Sequence, residues 1–316
     1  MKYAIEARGL CKSFGKQEAV RGVDLAVRSG ELFALLGPNG AGKTTTVRML
    51  ATLLAPDRGS ARVCGHDVAK EAGCVRERIG VTGQYAALDE SLTGRQNLEL
   101  FSGLYGYSPR DAKQIADEML TLFGLSDAGG RTVGTYSGGM RRRLDLAVGL
   151  LPRPEVLFLD EPTTGLDPQS RRDLWEAVSP LTRRGVTVLL TTQYLEEADQ
   201  LADRIGFIAE GRMMAVGTPA ELKSRYGGKT LAIRLAAGAD PSGATRLLAD
   251  AFGLECRLEE DGRVAKTTVR DAETTHAAVG ALLGSGAGVE DFALGEPSLE
   301  DVYFALNAAQ AREAAG

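Results

Sequence analysis

The stretch Gly37-Pro38-Asn39-Gly40-Ala41-Gly42-Lys43-Thr44 constrains this chain more than any other. Its spacing is G-x-x-x-x-G-K-T. The run before it, Leu32 to Leu36, is short and apolar, as a buried strand is. The run after it, Thr45 to Leu54, places Val47, Leu50 and Leu54 at helical spacing. A glycine-rich loop between a strand and a helix turns its backbone N–H groups inward towards an anion. The opening helix adds unpaired N–H groups and the positive end of its dipole. In that setting Lys43 reaches the β- and γ-phosphates of a nucleotide, and the Thr44 hydroxyl ligates Mg²⁺.

The chain has 316 residues and an apolar fraction of 44%, enough for one large or two ordinary domains with a substantial core. A net charge of −5 does not indicate a general nucleic-acid binder. Cys11, Cys64, Cys74 and Cys256 form no C-x-x-C pair and no metal spacing, so they are expected as free thiols in a reducing compartment. The opening residues carry charge where a secretory leader needs apolar side chains. No apolar run approaches the roughly 20 residues that span a bilayer. The chain is therefore expected to be soluble, with any membrane role exerted through a partner.

Residues 3–36 read as strands. Phe14, just before a turn, is placed either to stack on an adenine ring or to pack in the core. Strands are expected around Ala61–Cys64 and Arg78–Val81, the second running into Gln84, which is either a ligand for metal-bound water or phosphate or an ordinary loop residue. Residues 91–125 carry helical periodicity, with Ser91 or Thr93 as one cap and Pro109 opening a second helix. This segment interrupts the strand–helix alternation and reads as an inserted subdomain. Ser137 then caps a helix through Gly138 and Gly139, and Arg141, Arg142 and Arg143 fill its first turn. Cations there oppose the helix dipole, which points either to a docked anion or to a solvated basic face.

Val156–Leu159 is an apolar strand ending in Asp160 and Glu161. An acid at a strand end beside a phosphate loop holds Mg²⁺ through water, and a second acid orients and deprotonates an attacking water; paired acids are otherwise common at surfaces. A further buried strand, Val186–Thr191, leads to Gln193. A strand at Arg204–Ala209 and a helix from Thr218 to about Tyr226 follow. Beyond Gly228 the balance turns acidic, with 8 Lys and Arg against 14 Asp and Glu, whereas the first 228 residues hold 29 against 28. The tail alternates strand, helix, two strands, helix and strand, the order of a small ferredoxin-like α+β module, with one more helix from Ser298.

Taken in order, these motifs resemble the ATP-binding subunit of ABC transporters. Gly37–Thr44 looks like Walker A, Gln84 the Q-loop, Tyr136-Ser137-Gly138-Gly139-Met140 the LSGGQ signature, Val156–Asp160 with Glu161 Walker B and its catalytic Glu, and Gly165-Leu166-Asp167 the D-loop. Within that family, the signature followed by Arg141-Arg142-Arg143-Leu144-Asp145, the stretch Thr192–Ala198 and the closing Pro297–Tyr303 resemble daunorubicin-type drug exporters. The resemblance implies an α/β fold: a P-loop, RecA-like core with an antiparallel β part and a helical subdomain over about 85–150. The expected domains are 1–228 for the nucleotide-binding domain and 229–316 for the accessory module.

The resemblance further implies ATP and Mg²⁺ as cofactors. Phe14, Gly37–Thr44, Thr45, Ser137, Gly138, Gly139 and Asp167 would contact the nucleotide. Thr44, Gln84 and Asp160 would place the metal; Glu161, Lys43, Gln84 and Gln193 would serve catalysis. Tyr136 and Met140 depart from the usual Leu and Gln. Gln193 stands where most of the family has a switch His; its amide donates a hydrogen bond but shuttles no proton near neutral pH. One chain carries one motif of each kind, so two copies are expected head to tail, each ATP lying between one copy's Walker A and the other's signature. A separate transmembrane permease is the implied partner, at the cytoplasmic face of the membrane, with no nucleic acid. The function implied is the motor of a drug exporter. The alternatives are an exporter motor for lipid, polysaccharide or peptide, or a soluble ABC ATPase not linked to transport. The tail module either holds or regulates the dimer or covers the core.

Overall fold

The computed structural model describes residues 2–83, 88–226, 228–259, 261–269 and 271–315, with side chains as far as 308. Gln84 therefore lies outside the described residues. The chain divides into two compact units, 1–216 and 217–316.

The first unit opens with two long strands, β1 (Tyr3–Phe14) and β2 (Gln17–Arg28), then β3 (Leu32–Leu36) and α1 (Lys43–Leu50). The helix begins at Lys43, two residues earlier than the apolar spacing suggested, so the lysine and Thr44 sit in its first turn. Next come β4 (Arg58–Val63), β5 (His66–Asp67), α2 (Ala72–Arg76) and β6 (Ile79–Thr82). The inserted segment supplies α3 (Gly94–Leu104), α4 (Pro109–Leu122) and α5 (Gly138–Leu150). Alternation resumes with β7 (Val156–Asp160), α6 (Pro168–Arg183), β8 (Thr187–Thr192), α7 (Leu195–Leu201), β9 (Arg204–Ala209) and β10 (Arg212–Gly217).

Two sheets result. The antiparallel one has the order β2-β1-β4-β5, the larger one β10-β9-β3-β8-β7-β6. In the larger sheet β9, β3, β8, β7 and β6 pair in parallel. Every residue of β3, β7 and β8 is buried. Parallel strands covered on both faces need apolar side chains in both directions, which is why the middles of these segments read as continuous apolar runs. Alternate side chains divide between two cores. Phe33, Leu35, Phe158 and Leu189 pack with α1 and the antiparallel sheet. Leu157, Leu159, Val188 and Leu190 pack with α4, α5 and α6.

The caps account for the helix starts. Thr93 and Gln96 close a reciprocal capping box on α3, and Ser108 caps α4 ahead of Pro109. These bonds satisfy N–H groups that the first helical turn leaves without partners.

The second unit comprises α8 (Pro219–Tyr226), β11 (Lys229–Leu235), α9 (Pro241–Phe252), β12 (Arg257–Leu258), β13 (Val264–Val269), α10 (Ala272–Gly284), β14 (Val289–Gly295) and α11 (Leu299–Ala315). Its sheet runs β12-β13-β11-β14 with antiparallel pairs, the ferredoxin-like order. Leu231, Ile233, Leu248, Ala278 and Leu282 form its core. The sequence placed α8 at the end of the first domain, with the boundary at 228. In the structure it packs against α11, and the second unit starts at Gly217. The capping box of Thr218 and Glu221 fixes where the helix begins, but not which body it joins.

Candidate functional site

The loop Gly37–Gly42 leaves the carboxyl end of β3 and enters α1. Its shape demands small residues at two points. A Cβ on Gly37 would stand 2.1 Å from the Ile208 carbonyl oxygen. Gly42, the residue before the helix, has φ +101°, and a Cβ there would meet the Ala19 oxygen at 2.5 Å. Pro38, Asn39 and Gly40 form the exposed crown, while Ala41, Gly42 and Lys43 are buried. Lys43 is only 3% exposed and donates through Nζ to the Gly37 oxygen at 2.8 Å and the Pro38 oxygen at 3.0 Å. The same ammonium lies 3.1 Å from Glu161 Oε1.

The two acids at the end of β7 meet this loop. Thr44 Oγ1 donates to Asp160 Oδ1 at 3.0 Å, and Thr191 Oγ1 donates to the same oxygen at 2.6 Å. Glu161 has φ +49°, a left-handed conformation costly for a residue with a Cβ. Its N–H is held by both oxygens of Thr191, the hydroxyl at 3.0 Å and the carbonyl at 3.1 Å. Backbone strain of this kind persists where neighbours enforce it, and it concentrates at sites of chemistry. Thr44 and Asp160 together offer hard oxygen donors at a helix start, a set that suits Mg²⁺ retaining part of its water shell. Among the described residues no cluster of three or more His, Cys, Asp or Glu could hold a metal by itself.

Other expected residues lie elsewhere. Phe14 ends β1 and is 53% exposed, so it does not pack in the core and is free to face a planar ligand. Gln193 directly follows the last residue of β8. Ser137 caps α5, its Oγ accepting from the Met140 N–H, and Ser137 and Gly138 are exposed. Gly139 is buried: a Cβ there would lie 2.5 Å from Ser170 Oγ on α6.

Asp167, expected against the nucleotide, also caps α6. Its Oδ1 accepts from the N–H groups of Gln169 and Ser170 at 3.0 and 2.9 Å, and Oδ2 accepts from Ser170 Oγ at 2.6 Å. Those bonds hold its carboxyl below the usual carboxylate range. The three arginines of α5 bind their own chain rather than waiting for an anion. Arg141 pairs with Glu90 at 2.8 Å, Arg143 donates to the Phe123 oxygen at 3.2 Å, and Arg142 turns inward to backbone carbonyls.

Thr191 and Glu197 were not singled out from the sequence. Glu197 is fully buried and accepts from Trp175 Nε1 at 3.0 Å; burial pushes its carboxyl up. The available signal was a polar residue closing an apolar strand, for Thr191, and an acid on the inward face of a short helix, for Glu197.

The chain is 50% identical over 303 residues to the daunorubicin/doxorubicin resistance ATP-binding protein DrrA of Streptomyces peucetius, covering 96% of this chain and 92% of that one. It belongs to the ATP-binding subunits of ABC transporters. The ABC transporter family matches residues 20–164 of this ABC subunit, and the DrrA1-3-like C-terminal domain family matches residues 217–306. The linearmycin resistance ATP-binding protein LnrL of Bacillus subtilis is 41% identical, over 72% of this chain and 73% of its own. Among solved structures, an ATP-binding subunit of an ABC transporter superposes with TM-score 0.63 at 28% identity, over 71% of this chain and 93% of that one. The fold of this ABC ATPase is thus that of the cassettes, with a further domain appended.

Proposed function

We propose that this ABC ATPase is the motor of a drug exporter, working as a head-to-tail pair beneath a separate membrane permease. The observation that carries the drug-export reading is the extent of the likeness to daunorubicin resistance proteins. It runs through both units, 96% of the chain, so the accessory domain is shared as well as the cassette.

In this reading Lys43 neutralises charge on the terminal phosphates, and loop N–H groups cradle the others. Thr44 and Asp160 hold Mg²⁺, which when bound supplies further charge neutralisation on the phosphate oxygens. Glu161 orients a water in line with the γ-phosphate, and Gln193 donates to one of its oxygens. Phe14 stacks on the base. Ser137 and Gly138, exposed at the start of α5, complete the site of the second copy. Asp167 acts through α6, whose start it caps. Opening and closing of the pair drive the permease. Among the described residues no helix is long and apolar enough to cross a membrane.

A second reading is an exporter motor for another substrate, a lipid, polysaccharide or peptide. The Nod factor export ATP-binding protein I of Paraburkholderia xenovorans is 42% identical over 87% of this chain and 88% of its own. Co-expression with the partner permease decides between the two. Daunorubicin efflux that disappears with Glu161→Gln supports the drug reading; efflux of a lipid or glycolipid probe alone supports the other.

A further inference from the structure

Arg142 lies on α5, five residues beyond the Ser137 cap, yet it is only 8% exposed. Its guanidinium donates through Nε to the Pro162 oxygen at 2.8 Å, through Nη1 to the Gly83 oxygen at 2.6 Å and to Asp145 Oδ2 at 3.2 Å, and through Nη2 to the Asp160 oxygen at 3.4 Å. Two of those carbonyls flank Glu161. The third directly precedes Gln84. Asp160 ends β7, and Gly83 and Pro162 lie just beyond the ends of β6 and β7, which are neighbours in the sheet, so one side chain bridges the carboxyl ends of both.

A buried cation near the positive end of a helix is unfavourable on two counts. Burial pulls the Arg142 group below its ordinary range, while Asp145, Asp160 and Glu197 hold it up. Such a placement persists where a planar fork of donors does something a point charge cannot. Here the fork fixes backbone on each side of a residue at φ +49°. Thr191 holds the Glu161 N–H from one direction, and Arg142 holds the flanking carbonyls from the other.

We propose that Arg142 is a positioning residue for ATP hydrolysis. It ties the signature helix, which faces the second copy's nucleotide, to the backbone that aims its own subunit's Glu161. The two composite sites are thereby joined through one guanidinium. This inference rests on the head-to-tail motor proposed above.

The test compares the purified full-length chain with its Arg142→Lys, Arg142→Gln and Arg141→Gln variants. Fluorescent ATP-analogue binding, Mg·ATP turnover and thermal melting are measured for each. Arg142→Lys and Arg142→Gln should bind the analogue within about threefold of wild type, since Lys43 and the loop are untouched. KM should hold while kcat falls about 100-fold, the scale of a misplacement near 1 Å. Arg141→Gln, at the exposed Glu90 pair, should turn over normally. Full kcat in Arg142→Lys overturns the proposal. So does loss of folding in both Arg142 variants, or an equal loss of binding and turnover, because either makes Arg142 a general structural residue. A wild-type chain that neither binds nor hydrolyses ATP overturns the motor reading itself, a result separate from any difference among variants.

Discussion

Thr191 Oγ1 donates to Asp160 Oδ1 at 2.6 Å and accepts from the Glu161 N–H at 3.0 Å, so one hydroxyl on β8 holds the Asp160 carboxyl at the end of β7 and the backbone of Glu161 just beyond it. Thr191→Val keeps the strand and its β-branched packing but removes both bonds. The Glu161 N–H keeps the Thr191 carbonyl at 3.1 Å, so the main loss is at Asp160. Stability should fall by about 1–3 kcal/mol, the range for a buried acceptor losing a donor. Turnover should fall about 10–100-fold through misplacement of the acids. Thr191→Ser should restore most of both. Urea unfolding and steady-state ATPase rates check the pair of variants.

Lys43 and Glu161 form a buried pair at 3.1 Å. Neutralising the acid leaves the lysine's charge to the phosphates alone, so Glu161→Gln should tighten ATP binding. The gain should be up to about tenfold, or 1.4 kcal/mol. It should also abolish the water-orienting carboxylate and trap the nucleotide-bound pair of subunits. Retained nucleotide, a doubled mass in light scattering with ATP, and turnover reduced by at least about 100-fold are the expected results. Rapid turnover by this variant would take Glu161 out of the chemistry.

The parallel strands were legible because a strand covered on both faces tolerates few polar interruptions: β3 has none, β7 only its terminal Asp160, and β8 threonines at its two ends alone. The cap of α3 was legible because Thr93 and Gln96 satisfy each other within one turn. What escaped depends on direction in three dimensions. Arg141, Arg142 and Arg143 are chemically alike in sequence. Only the packing of α5 against the ends of β6 and β7 makes the middle one a buried clamp. Asp167 precedes a proline at the first helical position, which already marks a cap. The boundary at 217 escaped because α8 has an equally good start whichever body it packs on.

Glu197 gives a pH test of folding stability. Burial raises its carboxyl, while Trp175, Thr192, Thr163 and Arg171 pull the other way. Between the ordinary carboxylate range and the raised value, the folded chain holds a proton that the unfolded chain has released. Stability from this group is therefore present at low pH and is lost as pH rises through that window. Glu197→Gln keeps an acceptor for Trp175 Nε1 and removes the titration. Its melting temperature relative to wild type should rise from about pH 4 to pH 7. A constant difference across that range would show that folding does not raise the Glu197 carboxyl.

Gln193 follows β8 directly, beside the strand that carries Thr191 and Thr192. The chain's two histidines are His66, which hydrogen-bonds Glu71, and His276, which lies on α10 in the second unit. No imidazole therefore belongs to the strand end where a γ-phosphate oxygen is expected. Removing the amide donor in Gln193→Ala should slow hydrolysis by about 10–1000-fold, with nucleotide binding nearly unchanged. The wild-type kcat profile should show no ionisation near pH 6.5, and Gln193→His should introduce one. A wild-type profile that already bends there would require a histidine to reach the reacting phosphate. Neither His66 nor His276 follows β8, so that result would defeat the role assigned to Gln193.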